Sequence, residues 1–254
     1  MVAHNRGLLE VMKGGLRIIF PPQCLACGEA VAEEGGLCPN CWREAQFITG
    51  PACSRCGTPL PGDGVDDLDE SGPLVCDECL HVAHPWVRGR AAMVYAGTGR
   101  KLTLLLKHGD RLDIAPTLGD WVARAATPLV RSEMIVVPVP VHMRRLLRRK
   151  YNQAALLSER VARVHGLTHL PYALRRLRHG PMQDHGSVED RFANVEDAFG
   201  AERKYRSEIE GRAILLVDDV LTSGATLAAA AEALRAAGSG PISVVVLARA
   251  VKDP

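Results

Sequence analysis

The stretch from Ala213 to Leu227, Ala-Ile-Leu-Leu-Val-Asp-Asp-Val-Leu-Thr-Ser-Gly-Ala-Thr-Leu, constrains the fold more than any other part of the chain. Its apolar run, Ala213 to Val217, has the length of a strand buried on both faces. Asp218 and Asp219 stand where that strand is expected to end. Thr222, Ser223, Gly224, Ala225 and Thr226 follow, and then an Ala-rich helix from Leu227 to Ala237, closed by Gly238. A turn of this kind directs backbone N–H groups, hydroxyls and the positive end of a helix dipole toward a phosphate. The two carboxylates beside it can accept hydrogen bonds from a sugar diol. A phosphate and a diol at this separation describe a ribose 5-phosphate.

In this order of elements the stretch resembles the phosphoribosyl-pyrophosphate (PRPP) motif of the type I phosphoribosyltransferases. The resemblance implies that Asp218 and Asp219 hold the ribose hydroxyls and that Thr222, Ser223, Gly224, Ala225 and Thr226 wrap the 5′-phosphate. Strand-to-helix turns also use Asp and Ser as ordinary caps. It is the full sequence of elements, rather than the turn alone, that favours a PRPP site.

All eight cysteines fall before residue 80, in four Cys-x-x-Cys pairs: Cys24/Cys27, Cys38/Cys41, Cys53/Cys56 and Cys76/Cys79. Two such knuckles complete a tetrahedral zinc site. Cys24-Leu-Ala-Cys-Gly28 and Cys53-Ser-Arg-Cys-Gly57 read as an internal repeat, each answered by a second pair, and the glycine after each knuckle permits a positive φ. The repeat favours consecutive pairing, one zinc on Cys24, Cys27, Cys38 and Cys41 and another on Cys53, Cys56, Cys76 and Cys79, over an interleaved arrangement. With four thiolates per ion neither zinc keeps an open position, so both are expected to be structural. Disulfide or thioredoxin-like chemistry is disfavoured in a reducing compartment and lacks the flanking strand–helix pattern. His81 and His84 are surplus to the two sites and are expected to be exposed or to pack. The acidic stretch from Pro61 to Pro73 lacks the spacing of a calcium loop and reads as a solvated connection.

The chain of 254 residues has room for a small domain and an ordinary one. We place a double zinc ribbon domain, with a short N-terminal helical lead, at 1–88 and an α/β domain at 89–254, with Pro85-Trp86 as a hinge. A hydrophobic content of 47% argues against disorder, and the net charge of +2 leaves partners to be read from local patches. No apolar run reaches membrane-span length, and Glu10, Lys13 and Arg17 break the apolar character of the amino terminus. The expectation is a cytoplasmic protein without membrane insertion.

In the second part, strands are expected at Arg90–Tyr95, Met134–Pro140 and Ile242–Ala248. Gly97-Thr-Gly99 reads as a turn, and helices are expected at 100–108, at about Asp113–Ala126 and at Gln153–His165. Strands alternating with helices imply a parallel sheet flanked by helices. In such sheets ligands bind beyond the carboxyl ends of the strands, where the Asp218–Asp219 pair falls. Arg144, Arg145, Arg148, Arg149 and Lys150 cluster after one strand end, where a pyrophosphate or a nucleic-acid backbone can be met. They can equally belong to a solvated surface helix.

Several further motifs join these in order: Leu-Lys-His-Gly-Asp at 106–110, Val-Pro-Val-Pro at 137–140, Arg-Lys-Tyr-Asn-Gln at 149–153, Gln183, and Arg-Phe-Ala-Asn-Val at 191–195 followed by Ala198-Phe199. With the double zinc ribbon and the Asp-Asp turn, they resemble the ComF family over nearly the whole chain. One departure is Lys150, where family members often carry glycine. The resemblance implies a role in DNA uptake and competence or in the use of imported DNA, with PRPP bound together with Mg²⁺. Lys107, Arg144 and Arg145 are then candidates for the pyrophosphate, and residues 175–199 for a flap that closes on PRPP. Two functions of different class remain open. One is a handler of single-stranded DNA, working with the uptake machinery, that carries a PRPP pocket; the other is an active phosphoribosyltransferase on an unidentified base.

Overall fold

A computed structural model describes residues 20–62, 72–108, 111–141, 151–177 and 198–251. The helical lead, the core of the acidic stretch, the arginine cluster at 144–150 and most of the expected flap lie outside these residues.

The core of the fold is a five-stranded sheet of β1 (Arg88–Val94), β2 (Ile135–Pro138), β3 (Thr168–His169), β6 (Ile214–Leu221) and β7 (Ile242–Arg249). Its spatial order is β1-β7-β6-β2-β3, and every neighbouring pair is parallel. β7 is buried at every position and β6 at most, which explains why both read as nearly continuous apolar runs. Two short strands, β4 (Leu174–Arg176) and β5 (Phe199–Ala201), form a separate antiparallel pair. They frame the segment expected to act as a flap.

One face of the sheet is covered by α3 (Gly97–His108), α4 (Ala115–Ala126) and α5 (Gln153–His165), whose Leu102, Leu106, Leu118, Val122 and Leu157 pack with Leu215, Val217 and Val245. The other face is covered by α7 (Ala225–Ala236) and the β4–β5 pair, with Leu227, Ala230, Leu234 and Phe199 packing on Ile214, Leu216 and Val244. A short α6 (Arg206–Ile209) precedes β6.

Several boundaries differ from the sequence-based expectation. β6 does not stop before the acidic pair but runs through it to Leu221, because β7 continues to pair with it as far as Arg249. Helix α7 begins at Ala225, since Gly224 is already its N-cap. Gly97 opens α3 rather than standing in a turn before it, and a 3-10 turn at Leu112–Ile114 precedes α4. Trp86 is not a hinge: its side chain is fully buried and its indole N–H donates to Arg55 O at 2.7 Å.

The cysteine-rich segment repeats one motif twice. In each copy the first cysteine N–H bonds the carbonyl five residues on, Cys24 to Glu29 and Cys53 to Thr58, and a glycine with positive φ closes the knuckle, Gly28 at 81° and Gly57 at 73°. In each copy the answering cysteine pair sits on the first turns of a short helix, α1 (Pro39–Glu44) after Cys38 and α2 (Asp77–His81) after Cys76.

The two copies pack on opposite faces of the sheet. Cys24, Leu25, Cys38 and Cys41 belong to the core under α3, α4 and α5, whereas Cys53, Cys56, Cys79 and Trp86 belong to the core under α7. The linker between them rounds the sheet at β1, pairing with it through Ile48 N–H to Ala92 O and Val94 N–H to Gln46 O. An edge that would otherwise be open is therefore covered.

Candidate functional site

The four thiols of each copy gather as the consecutive pairing requires: Cys24, Cys27, Cys38 and Cys41 in one cluster, Cys53, Cys56, Cys76 and Cys79 in the other, with all ligand atoms of a cluster within 4.8 Å of one another. A zinc–sulfur bond of about 2.3 Å sets the sulfur–sulfur edge of a tetrahedron near ~3.8 Å. The separations Cys27 Sγ–Cys38 Sγ, 3.6 Å, and Cys56 Sγ–Cys76 Sγ, 3.7 Å, match that edge. Both clusters thus fit structural zinc ions held by four thiolates. His81 is exposed; His84 stacks on Trp86 at 4.2 Å, its ring nearly parallel, with Nε2 3.6 Å from Cys79 Sγ.

At the carboxyl end of β6 the acidic pair is held by its own backbone and by α3. Asp219 N–H donates to Asp218 Oδ1 at 2.8 Å. Asp219 shares the strand phase of Leu215 and Val217, facing α3, and there its Oδ2 lies 3.3 Å from Lys107 Nζ. Burial first, and then the adjacent Asp219 charge, push the Asp218 carboxyl well above the usual carboxylate range; the Asp219 amide and Lys107 pull the other way.

Lys107 is positioned by residues that looked unconnected in the sequence. Tyr151 donates from its hydroxyl to Leu106 O at 3.0 Å, Gln153 from Nε2 to Lys107 O at 3.4 Å, and Asn152 from Nδ2 to Val139 O at 3.1 Å. The 106–108, 137–140 and 151–153 motifs therefore converge, tying the last turn of α3 to the end of β2. Asn152 also caps α5 by accepting from Ala154 N–H.

Thr222, Ser223 and Gly224 make the turn from β6 to α7, with Thr222 exposed and Gly224 buried at φ 81°. The first amides of α7, those of Ala225, Thr226 and Leu227, have no partner within the helix, and Gly224 at the N-cap brings no side chain to cap them. The turn's supports come from the second cysteine copy. A Cβ on Gly224 would sit 3.1 Å from the Trp86 ring and 3.6 Å from His84, and the φ of 81° is one that other residues adopt only under strain, so glycine is favoured here. From the end of β7, buried Arg249 donates through Nη1 to Leu221 O at 3.2 Å, Thr222 O at 2.7 Å and Ala250 O, and through Nη2 to Glu78 Oε2 at 2.8 Å.

Arg249, Glu78, His84 and Trp86 did not figure among the sequence-predicted site residues. The available signal was a lone arginine at the end of the apolar run 242–248. Of the predicted set, Asp218, Asp219, Lys107 and residues 222–226 come together at one sheet end, while Arg144 and Arg145 lie outside the described residues.

Two four-thiol ribbons set on a parallel sheet, whose central strand carries an acidic pair into an uncapped helix N-terminus, define a double zinc ribbon protein with a phosphoribosyltransferase-type domain. Family models agree, a double zinc ribbon domain matching residues 15–80 and a phosphoribosyl transferase domain residues 174–253. The chain belongs to the competence protein F family. It is 30% identical over 237 residues to competence protein F of Haemophilus influenzae, spanning 91% of this chain and 98% of that protein. It is 29% identical to the DNA utilization protein YhgH of Salmonella typhimurium, spanning 91% and 99%. Among solved structures, glutamine PRPP amidotransferase from B. subtilis aligns with a TM-score of 0.39 at 20% identity, over 57% of this chain and 30% of that one. No helix among the described residues is long and apolar enough to cross a membrane.

Proposed function

We propose that this protein binds PRPP at the turn between β6 and α7 and acts in DNA uptake or in the use of imported DNA, on the cytoplasmic side, by handling single strands delivered by the uptake machinery. The observation that carries the PRPP reading is the pairing, at one strand end, of the Asp218–Asp219 carboxylates with the uncapped amides of Ala225, Thr226 and Leu227. The amides and the hydroxyls of Thr222, Ser223 and Thr226 take the 5′-phosphate. The carboxylates accept from the ribose hydroxyls. Lys107, now on Asp219, neutralises the pair in the absence of ligand and turns to the pyrophosphate when PRPP enters, joined by Arg144 and Arg145. Mg²⁺ arriving with PRPP offsets charge on the pyrophosphate oxygens.

The DNA part of the reading rests on kinship with proteins named for competence and DNA utilization. Calorimetric titration of the zinc-loaded protein with Mg²⁺-PRPP, with and without a short single strand, tests both parts. Heat from PRPP that disappears in Asp218→Asn supports the pocket, and no heat in the wild type removes it.

A second reading, an active phosphoribosyltransferase, is favoured by the retention of both carboxylates beside the anion-binding turn. Set beside the turn that would take the phosphate, they are placed to stabilise positive charge developing at the anomeric carbon. Pyrophosphate released from PRPP with one of a panel of bases, and lost in Asp218→Asn, would establish turnover; PRPP binding without release across the panel would leave a binding protein.

A further inference from the structure

The two cysteine clusters share one backbone pattern but stand in different surroundings. In the second, Cys53, Cys56 and Cys79 are buried and Cys76 is half-buried, and the glycine after Cys56 is pressed against β1. A thiolate bound to zinc can only accept a hydrogen bond. The Thr58 hydroxyl, 3.1 Å from Cys56 Sγ, and His84 Nε2, 3.6 Å from Cys79 Sγ, are therefore the donors, and each engages a sulfur lone pair. The Arg249 guanidinium adds positive charge toward Cys56. The first cluster differs at the matching positions. Cys27, the counterpart of Cys56, is exposed, and so are Gly28, Glu29 and Ala30 after it. Glu29 stands where the second copy has Thr58, and it sets a carboxylate beside Cys38 Sγ, a charge that a thiolate repels.

We propose that Cys27 is an oxidation site, through which a hydroperoxide strips zinc from the first ribbon while the second ribbon keeps its own. All four sulfurs of a loaded cluster are thiolates, so access decides which one an oxidant meets first, and access selects Cys27. Its sulfur displaces hydroxide from hydrogen peroxide and becomes the sulfenic acid. Cys38, whose Sγ lies 3.6 Å away on the answering pair, then attacks that sulfur and expels the second hydroxide, which leaves a disulfide. Each thiolate loses one electron, the peroxide gains two, and the two hydroxides take protons from solvent to become water. With two thiolates gone, the cluster releases its zinc. The reaction divides the molecule. Cys24, Cys38 and Cys41 belong to the core under α3, α4 and α5, and Trp42 follows Cys41 on α1, whereas the β6–α7 turn is held by Trp86, His84 and Glu78 of the second copy. Oxidation therefore loosens α1 and leaves the supports of the turn in place. The oxidation site depends only on the two metal clusters and is independent of the PRPP and DNA readings.

The test treats the full zinc-loaded protein with hydrogen peroxide, follows released zinc with a chromogenic chelator, and maps disulfides by mass spectrometry. One zinc should leave roughly ten-fold or more faster than the other. The fast phase should coincide with a Cys27–Cys38 disulfide and with a change in tryptophan emission from Trp42, and a thiol reductant with added zinc should reverse all three. Glu29→Thr, an exposed change that copies the second cluster, should slow the fast phase several-fold. Thr58→Val, which removes the hydroxyl and keeps the shape, should speed the slow one. Release of both ions at a single rate overturns the proposal. So does a first disulfide that contains Cys53, Cys56, Cys76 or Cys79, and so does zinc release in peroxide no faster than in its absence.

Discussion

Arg249 and Glu78 are 171 positions apart in the chain, yet Nη2 of one lies 2.8 Å from Oε2 of the other. Glu78 sits between two thiol ligands of the second ribbon. The same guanidinium holds the carbonyls of Leu221 and Thr222, so the metal cluster and the turn share one side chain. Arg249→Met leaves those carbonyls without their donor, at about 1–3 kcal/mol for each group left buried and unpaired. PRPP affinity should fall ten-fold or more with zinc content unchanged. Glu78→Gln, which keeps the shape and removes the charge, should cost about 1 kcal/mol. Calorimetry on both variants checks this, and undiminished PRPP binding by Arg249→Met would show that the turn does not depend on the ribbon.

Asp218 ties the stability of the β6 end to pH. A carboxyl whose pKa is higher in the folded than in the unfolded protein contributes its stability below the unfolded value and loses it as pH rises through the folded one. Asp218→Asn preserves the acceptor for Asp219 N–H and never ionises. Its melting temperature should equal that of wild type below pH ~4 and exceed it increasingly toward neutrality. PRPP binding should meanwhile be lost. A variant that melts lower at neutral pH would contradict the burial assigned to this carboxyl.

Because the ribbons pack on opposite faces, removing one metal should have a different effect from removing the other. Cys53→Ser should reduce zinc from two ions to one, as counted by native mass spectrometry, and weaken PRPP binding through Trp86, His84 and Glu78. Cys24→Ser should give the same metal count but spare PRPP affinity, disturbing instead the core under α3 and α4. Indistinguishable PRPP affinities in the two variants would refute this division.

Gly57 and Gly28 occupy equivalent knuckle positions in different surroundings. A Cβ on Gly57 would lie 2.7 Å from the backbone nitrogen of Ala91, whereas one on Gly28 would meet nothing within 4 Å. Gly28→Ala should cost only the strain of a positive φ, about 1 kcal/mol. Gly57→Ala should add a clash with β1 and cost about 2–4 kcal/mol in all. Thermal melts of the zinc-loaded variants measure the difference, and equal losses would mean that the second knuckle is not pressed against the sheet.

The metal clusters, the parallel sheet and the turn were legible because each rests on a local pattern: paired thiols, apolar runs, and small residues before an Ala-rich helix. The end of β6 is not legible, because Asp-Asp looks like the close of a buried strand. Only the pairing of β6 with β7, a contact between distant segments, shows that the strand continues. Pro85-Trp86 looks like a hinge for the same reason, since nothing near it in sequence announces that Arg55 and Gly224 close around the indole. Tyr151, Asn152 and Gln153 were visible as a motif, but their task, fixing the turn that carries Lys107, depends on which carbonyls the fold brings to them. Arg249 was the most informative omission, because a strand-end arginine becomes significant only when its four acceptors are known.

Strand β1 takes its outer neighbour from residues 46–48 and its inner neighbour from residues 242–249. During synthesis the first is available almost at once and the second only after about a hundred and fifty further residues have emerged from the ribosome, at roughly 5–20 residues per second. For that interval β1 exposes one unpaired side. Synthesis of β7 is therefore the event that completes the support of the turn, since Arg249 stands at the end of that strand.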